Sequence, residues 1–183
     1  MGDTNGYLIV GLCAMFVTLI TTPIVRWFAR ERNWVAMPDE RKVHTVPTPN
    51  VGGIALFAGA VAAIGLAWRM DRFSPLFQGN SEPTGVLLGA LVVLVIGARD
   101  DVKEVSAPAR VIAIVGAGMM LVWFGVTMFY FRIPFLGVIQ LGNDWVPIVT
   151  VVWLLGMVQA INLIDGLDGL AAGIVAIGST AFF

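Results

Sequence analysis

Trp145-Val-Pro-Ile-Val-Thr-Val-Val-Trp-Leu-Leu-Gly-Met-Val-Gln159-Ala-Ile-Asn162-Leu-Ile-Asp165-Gly166-Leu-Asp168-Gly169-Leu170 is the stretch that decides the fold. From Trp145 to Ile164 it carries no charge, and at ~1.5 Å per residue such a run crosses the ~30 Å of bilayer hydrocarbon as one helix. It then ends in an amide and two acids, in a segment with no other charged side chain between Asp144 and Phe183. An Asp at bilayer centre costs roughly 2.5–3.5 kcal/mol. Asp165 and Asp168 are therefore expected at a membrane surface, in a water-filled cavity or on an ion.

Working outward, the same pattern recurs. The 183 residues are 58% hydrophobic and 13% charged, a composition foreign to soluble domains. The expected fold is an all-α polytopic membrane protein in one membrane domain, 1–183. Its spans, about six, are predicted near 7–28, 51–68, 84–98, 110–128, 145–162 and 170–183. The 84–98 run is short and is expected to extend into its flanks. The last run, about 14 residues at ~1.5 Å each, reaches only ~21 Å by Phe183, so the sequence reads as the N-terminal part of a longer protein and is expected to be inactive alone. A cleaved signal is not expected, because Arg26, Arg30 and Arg32 follow the first run and no Lys or Arg precedes it. Cys13 lies within that run and supports neither a disulfide nor a thiolate metal site. A net charge of −1 gives no footing for nucleic acid.

Counting spans puts residues 26–50, 97–110 and 159–169 on one face, and 1–6, 69–83 and 127–144 on the other. Arg26, Arg30, Arg32, Arg41, Lys42, Arg99, Lys103 and Arg110 belong to the first face, against Arg69, Arg72 and Arg132 on the second. By the positive-inside rule the first face is cytoplasmic and the N-terminus outside. On the outer side, 69–83 reads as a loop without clustered functional groups, and 131–144 as turns with a short hairpin at the interface.

The three loops on the first face hold the chemistry. Asp100-Asp101 repel each other unless a divalent cation, a nearby Arg or Lys, or a raised pKa relieves them. The bland reading is a solvated helix end, favourable at the start of the helix that follows Pro108. Asn162, Asp165 and Asp168 recur every three residues, which on a helix or turn gathers their oxygens on one side. Gly166 and Gly169 would interrupt the helix there, and oxygen ligands suit a hard cation such as Mg²⁺ bridging to phosphates. Arg41, Lys42 and His44, bracketed by Pro38, Pro47 and Pro49, make a phosphate clamp or an ordinary basic flank. No P-loop, zinc pair or Ser-His-Asp arrangement is present. Acids for Mg²⁺ and cations for phosphate favour phosphoryl transfer from a soluble donor to a membrane-held acceptor.

PDERKVHTVPTPNVGG (38–53), GARDDVKEVSAPAR (97–110) and NLIDGLDGLAAG (162–173), in this order, resemble the polyprenyl-phosphate N-acetylhexosamine-1-phosphate transferases, glycosyltransferase family 4. The first loop is similar to the undecaprenyl- or decaprenyl-phosphate N-acetylglucosaminyl branch. The resemblance implies transfer of N-acetylglucosamine 1-phosphate from UDP-N-acetylglucosamine to a polyprenyl phosphate, with UMP released, at the cytoplasmic face of the plasma membrane. Lipopolysaccharide, arabinogalactan or another envelope glycan would follow. It implies Mg²⁺, with Mn²⁺ as a substitute, and allows a homodimer. Asp100 and Asp101 fall on the family's catalytic pair; Asn162, Asp165 and Asp168 on its metal motif; Arg41, Lys42, His44, Lys103, Arg110 and Gln159, with Asn162 and Asp165, on substrate-binding positions. Gln159 replaces a common Asn, and Arg110 a common Lys. Direct attack by the acceptor phosphate and a two-step path through an aspartyl-phosphate on Asp100 or Asp101 are both open.

Three rivals remain at this level. A phospho-MurNAc-pentapeptide transferase shares the motifs, and a transporter with a broken-helix ion site would also keep Asn162–Gly169. A CDP-alcohol phosphotransferase needs an Arg where Ala172 stands.

Overall fold

In the computed structural model, which describes residues 4–32, 34, 52–103, 105–133, 135, 137–165 and 169–181, each of the six expected segments carries a helix. Arg41, Lys42, His44 and Asp168 lie outside the described residues. The chain divides into two units, Met1–Val126 and Thr127–Phe183.

In the first unit, α1 (Thr4–Glu31) runs through Pro23, which removes one backbone N–H. The hydroxyls just before it turn inward on the helix: Thr21 donates to the Val17 carbonyl and Thr22 to that of Thr18, both at 2.7 Å. Two polar groups in an apolar helix are thereby satisfied without a partner from elsewhere. Helix α2 (Gly53–Trp68) lies along α1 through small residues. Ala55, Gly59, Ala63 and Ala67 recur every fourth position and are all buried, so one whole stripe of α2 lets the backbones approach closely. A Cβ at Gly59 would sit 2.8 Å from the Ala14 carbonyl oxygen of α1.

Beyond α2 the chain bends by 93° into a 3-10 turn (Asp71–Phe73) and α3 (Ser74–Phe77). The sequence predicts only a loop here, yet Pro75 at the first helical turn supplies a start signal. Tyr7 meets Phe73 edge to face at 5.2 Å, and the Arg72 guanidinium lies 5.1 Å above the Tyr7 ring. These contacts tie the beginning of α1 to the 3-10 turn that follows α2.

Helix α4 (Glu82–Val102) extends past both ends of the predicted run, and α5 (Ala107–Trp123) packs back along it. Gly85 and Gly89 face Phe124 and Leu121, and Ser81 donates to the Phe124 carbonyl at 3.1 Å. The Cβ of a residue at Gly53 would come 3.3 Å from Leu94, so the start of α2 lies against the second half of α4. Alternating helix directions then bring the end of α1, the start of α2, the end of α4 and the start of α5 to one end of this unit. The flanks of the 26–50 loop and the whole 97–110 loop share that end, as the span count requires.

The second unit opens on a hairpin, β1 (Tyr130–Ile133) and β2 (Gly137–Gln140), paired antiparallel with Tyr130 opposite Gln140. This is the hairpin expected within 131–144. Helices α6 (Trp145–Ile164) and α7 (Leu170–Ala181) follow. Buried Thr150 links α6 to the segment that leads into β1: its hydroxyl accepts from the Met128 N–H at 3.0 Å and donates to the Val146 carbonyl at 2.7 Å. Thr150→Val keeps the shape and removes the acceptor, so it is expected to lower stability by about 1–3 kcal/mol. A melting curve in detergent checks this, and an unchanged midpoint would mean that another acceptor serves Met128.

Large apolar side chains cover the outside. Phe16 is 63% exposed, Leu19 62%, Trp27 63% and Trp123 88%, a surface that only lipid or another apolar body can face. Asn5–Glu31 and Trp145–Ile164 are each long and apolar enough to cross a membrane, with a third span if α2 and the bent segment after it count as one. The chain is an all-α polytopic membrane protein with one small hairpin.

Candidate functional site

Asp100 and Asp101 sit in the last turn of α4, not at the start of the helix after Pro108. That corrects the bland reading of the pair, because carboxylates at a helix C-terminus oppose the macrodipole. Arg99 in the same turn offsets part of this. The rest falls to the next helix: Arg110, on the first turn of α5, donates from Nη2 to both oxygens of Asp100, at 2.8 and 2.7 Å. The Val105 N–H adds a third bond to Asp100 Oδ1 at 2.9 Å.

The end of α4, Val105 and the first turn of α5 thus meet on one carboxylate. With the Arg110 and Asp100 side chains 32% and 27% exposed, such a pair contributes at most about 1 kcal/mol. Its main consequence is geometric. Sequence reading assigned Arg110 to substrate and missed this pairing; a ten-residue spacing across a turn has no local signature. Arg110 Nε is buried with no acceptor among the described residues. Asp101 and Lys103 are exposed on the same turn, and the Lys103 N–H caps α4 through the Arg99 carbonyl at 2.8 Å.

At the edge of the first loop, α1 is closed by the Trp34 N–H on the Ala29 carbonyl at 2.8 Å. Phe28 packs edge to face with Trp34 at 5.8 Å, and Arg32 lies 4.8 Å above the Phe28 ring.

In the second unit α6 stops at Ile164 and α7 begins at Leu170, the break expected from Gly166 and Gly169. Gly169 has φ +79°, in the left-handed region open to glycine, and its carbonyl accepts from the Gly173 N–H at 2.8 Å to start α7. Asp165 caps α6, with its N–H on the Ile161 carbonyl at 3.1 Å. Gln159, Asn162 and Asp165 follow one another at three-residue steps, which puts their side chains on one side of the helix end. Asn162 and Asp165 are exposed, and Gln159 Oε1 is buried without a hydrogen-bond donor among the described residues.

The orphaned amide oxygen of Gln159 and the exposed amide and carboxylate of Asn162 and Asp165 offer oxygen ligands, the type a hard cation takes. Among the described residues no three of His, Cys, Asp and Glu gather as a metal group, so the set is mostly amide. By contrast, an open groove of about 380 Å³ beside β1, lined by Phe131, Trp145, Ile148, Val152, Trp153 and Met157 among others, has no charged side chain in its lining.

The chain matches glycosyl transferase family 4 over residues 83–183, more than half its length. It is 37% identical over 168 residues to the probable undecaprenyl-phosphate N-acetylglucosaminyl 1-phosphate transferase of Bacillus subtilis (strain 168), covering 91% of this chain and 44% of that protein. It is 35% identical over 175 residues to the decaprenyl-phosphate N-acetylglucosaminephosphotransferase of Mycobacterium leprae, covering 94% of this chain and 44% of that one. A 27% identity over 158 residues relates it to the undecaprenyl-phosphate alpha-N-acetylglucosaminyl 1-phosphate transferase of Thermotoga maritima, 86% of this chain and 45% of the relative. The chain spans less than half the length of these relatives. No solved structure matches it. The motifs at 97–110 and 162–173 both lie inside the matched region, and the chain belongs to glycosyl transferase family 4.

Proposed function

We propose that the full-length protein transfers N-acetylglucosamine 1-phosphate from UDP-N-acetylglucosamine to a polyprenyl phosphate at the cytoplasmic face of the plasma membrane, releasing UMP and starting an envelope glycan. The observation that carries this reading is the end of α6. An uncharged apolar helix stops at Ile164 with Asn162 and Asp165 exposed in its last turn. Polar groups at a span end meet the membrane surface, where a soluble nucleotide sugar and a lipid-borne phosphate can both reach them. A carrier with a broken-helix ion site needs such groups midway along its spans.

An oxygen of the acceptor phosphate attacks the β-phosphorus of the donor. The bond from that phosphorus to the UMP oxygen breaks, and UMP leaves with the electron pair. Asp101, exposed in the last turn of α4, takes the proton of an acceptor phosphate that carries one. Gln159, Asn162 and Asp165, with Asp168 from the sequence motif, would hold Mg²⁺, and Mn²⁺ can substitute. When bound, the cation neutralises charge on the diphosphate and on the leaving oxygen. Arg41, Lys42 and Lys103 supply positive charge for the phosphates, and His44 a further hydrogen-bonding group for them.

The test is UMP release by the full-length protein in detergent. UMP is expected only with both polyprenyl phosphate and Mg²⁺, lost on adding EDTA and restored by excess Mg²⁺. Release without lipid would sink direct attack. No release from any UDP-N-acetylhexosamine would overturn the reading.

A further inference from the structure

We propose that the β1–β2 hairpin is a lipid anchor. It lies in the headgroup and acyl boundary of the bilayer beside the first half of α6, and its partner is phospholipid, with acyl chains against Phe135 and Val138 and a headgroup phosphate on Arg132. The proposal does not depend on the transferase reading.

Helix α6 is long and apolar enough to cross a membrane and ends in polar groups, so its own length sets the level of the bilayer. The hairpin is fixed to that helix at two heights. The Met128 N–H, just before β1, donates to Thr150, and the Phe131 ring meets the Trp153 ring edge to face at 6.3 Å. At ~1.5 Å per residue, Thr150 and Trp153 lie about 8 and 12 Å along α6 from Trp145. Helical side chains lean back toward the helix start, so the contacts are somewhat shallower than the Cα positions. The hairpin therefore lies alongside the span, at the roughly 5–10 Å depth of interfacial elements. Open strand edges exclude it from mid-hydrocarbon, and the boundary layer can still hydrogen-bond them.

Its side chains fit that layer. The register puts Phe131 opposite Ile139 on the face turned to α6, and Tyr130, Arg132, Val138 and Gln140 on the other. Tyr130 and Val138 are each 65% exposed and β2 is exposed throughout. At the tip Phe135 has φ +73°, a conformation unfavourable for a bulky residue, and its ring is fully exposed. In water nothing would offset that display; in lipid the ring is buried. Arg132 is the only charged residue from 127 to 143, and it is exposed with no acid paired to it among the described residues. A lone cation among aromatics suits a phosphate above an acyl layer. The exposed apolar side of α6, including Ile148 and Val152, joins the hairpin through the open groove beside β1, so both belong to one lipid-facing surface. An anchor at the start of a 20-residue span also fixes the level at which Asn162 and Asp165 emerge at its other end.

The test is nitroxide accessibility in the full-length protein, reconstituted in phosphatidylethanolamine–phosphatidylglycerol vesicles. Phe135→Cys and Val138→Cys are labelled in a background free of other cysteines, Cys13→Ala included, with Asn143→Cys as the reference for water. Relative to Asn143, labels at 135 and 138 are expected to gain collisions with oxygen and lose collisions with a water-soluble nickel chelate. Adding Phe135→Asp to the Val138→Cys protein is expected to shift that label back toward nickel. Val138 is a strand position already exposed, so it carries the test if the tip cannot bear a label. Nickel access equal to that at Asn143 would put the hairpin in water and overturn the proposal. Low access to both reagents would overturn it too, by showing that protein covers the hairpin, whether a second copy or another part of the full-length chain.

Discussion

Asp165→Asn is expected to cut Mg²⁺-dependent UMP release by at least about a hundredfold while leaving the fold intact. The two halves of that statement have separate physical grounds. The fold survives because Asp165 holds α6 through its backbone, with its N–H on the Ile161 carbonyl, and its exposed carboxylate makes no hydrogen bond among the described residues. Asn is also a good residue for the position just past a helix end. Activity falls because the neighbours on this side of α6, Gln159 and Asn162, are amides. Removing the one carboxylate described at this helix end leaves dipoles to hold a divalent ion, and hard cations bind ionised oxygens far better. A titration of UMP release against Mg²⁺, with the melting midpoint as control, separates the halves. The apparent Mg²⁺ requirement is expected to rise, and raised Mg²⁺ is expected to recover part of the rate. Wild-type release at low Mg²⁺ would remove Asp165 from the site.

The break beside that residue was legible in the sequence because its causes are local. Two acids and two glycines at the end of an uncharged run leave a helix few ways to continue, and α6 ends within a residue of where the charge begins. The hairpin was legible for the same kind of reason. What escaped was pairing between elements. Arg99-Asp100-Asp101 read as loop because charge ends an apolar run, yet α4 continues through them to Val102. The groups that make this tolerable, Arg110 and the Val105 N–H, belong to the other side of a turn. Similarly, 71–77 was read as irregular, although a Pro in the first turn and the packing of Phe73 under Tyr7 hold two short helical pieces. Gly53, a motif residue at the start of α2, has a plain steric reason in its closeness to Leu94, and no pattern within 38–53 could have supplied it.

The second large effect concerns the α1–α2 contact, on which the loop flanks depend. Gly59→Leu is expected to abolish recovery of folded, monodisperse protein from detergent, and Gly59→Ala to lower the melting midpoint. A Cβ at 59 would clash with Thr18 Oγ1 and lie 2.8 Å from the Ala14 carbonyl oxygen. The threonine can rotate, but the carbonyl is backbone in the middle of α1, so relief requires the two helices to separate. Overpacking of this kind costs about 1–3 kcal/mol for a methyl group and more for a branched side chain. Gly65 on the same helix is the control. A Cβ there meets nothing within 4 Å, so Gly65→Ala is expected to be neutral or to gain up to about 1 kcal/mol from helix propensity. Because both changes are made in α2 and to the same residue type, a difference between them reports the approach of α1 rather than glycine flexibility. Equal midpoints for Gly59→Ala and Gly65→Ala would mean that α1 does not cross α2 at Ala14 and Thr18. The gathering of the α1 end, the α2 start and the Asp100–Arg110 turn at one end of the unit would then lose its support.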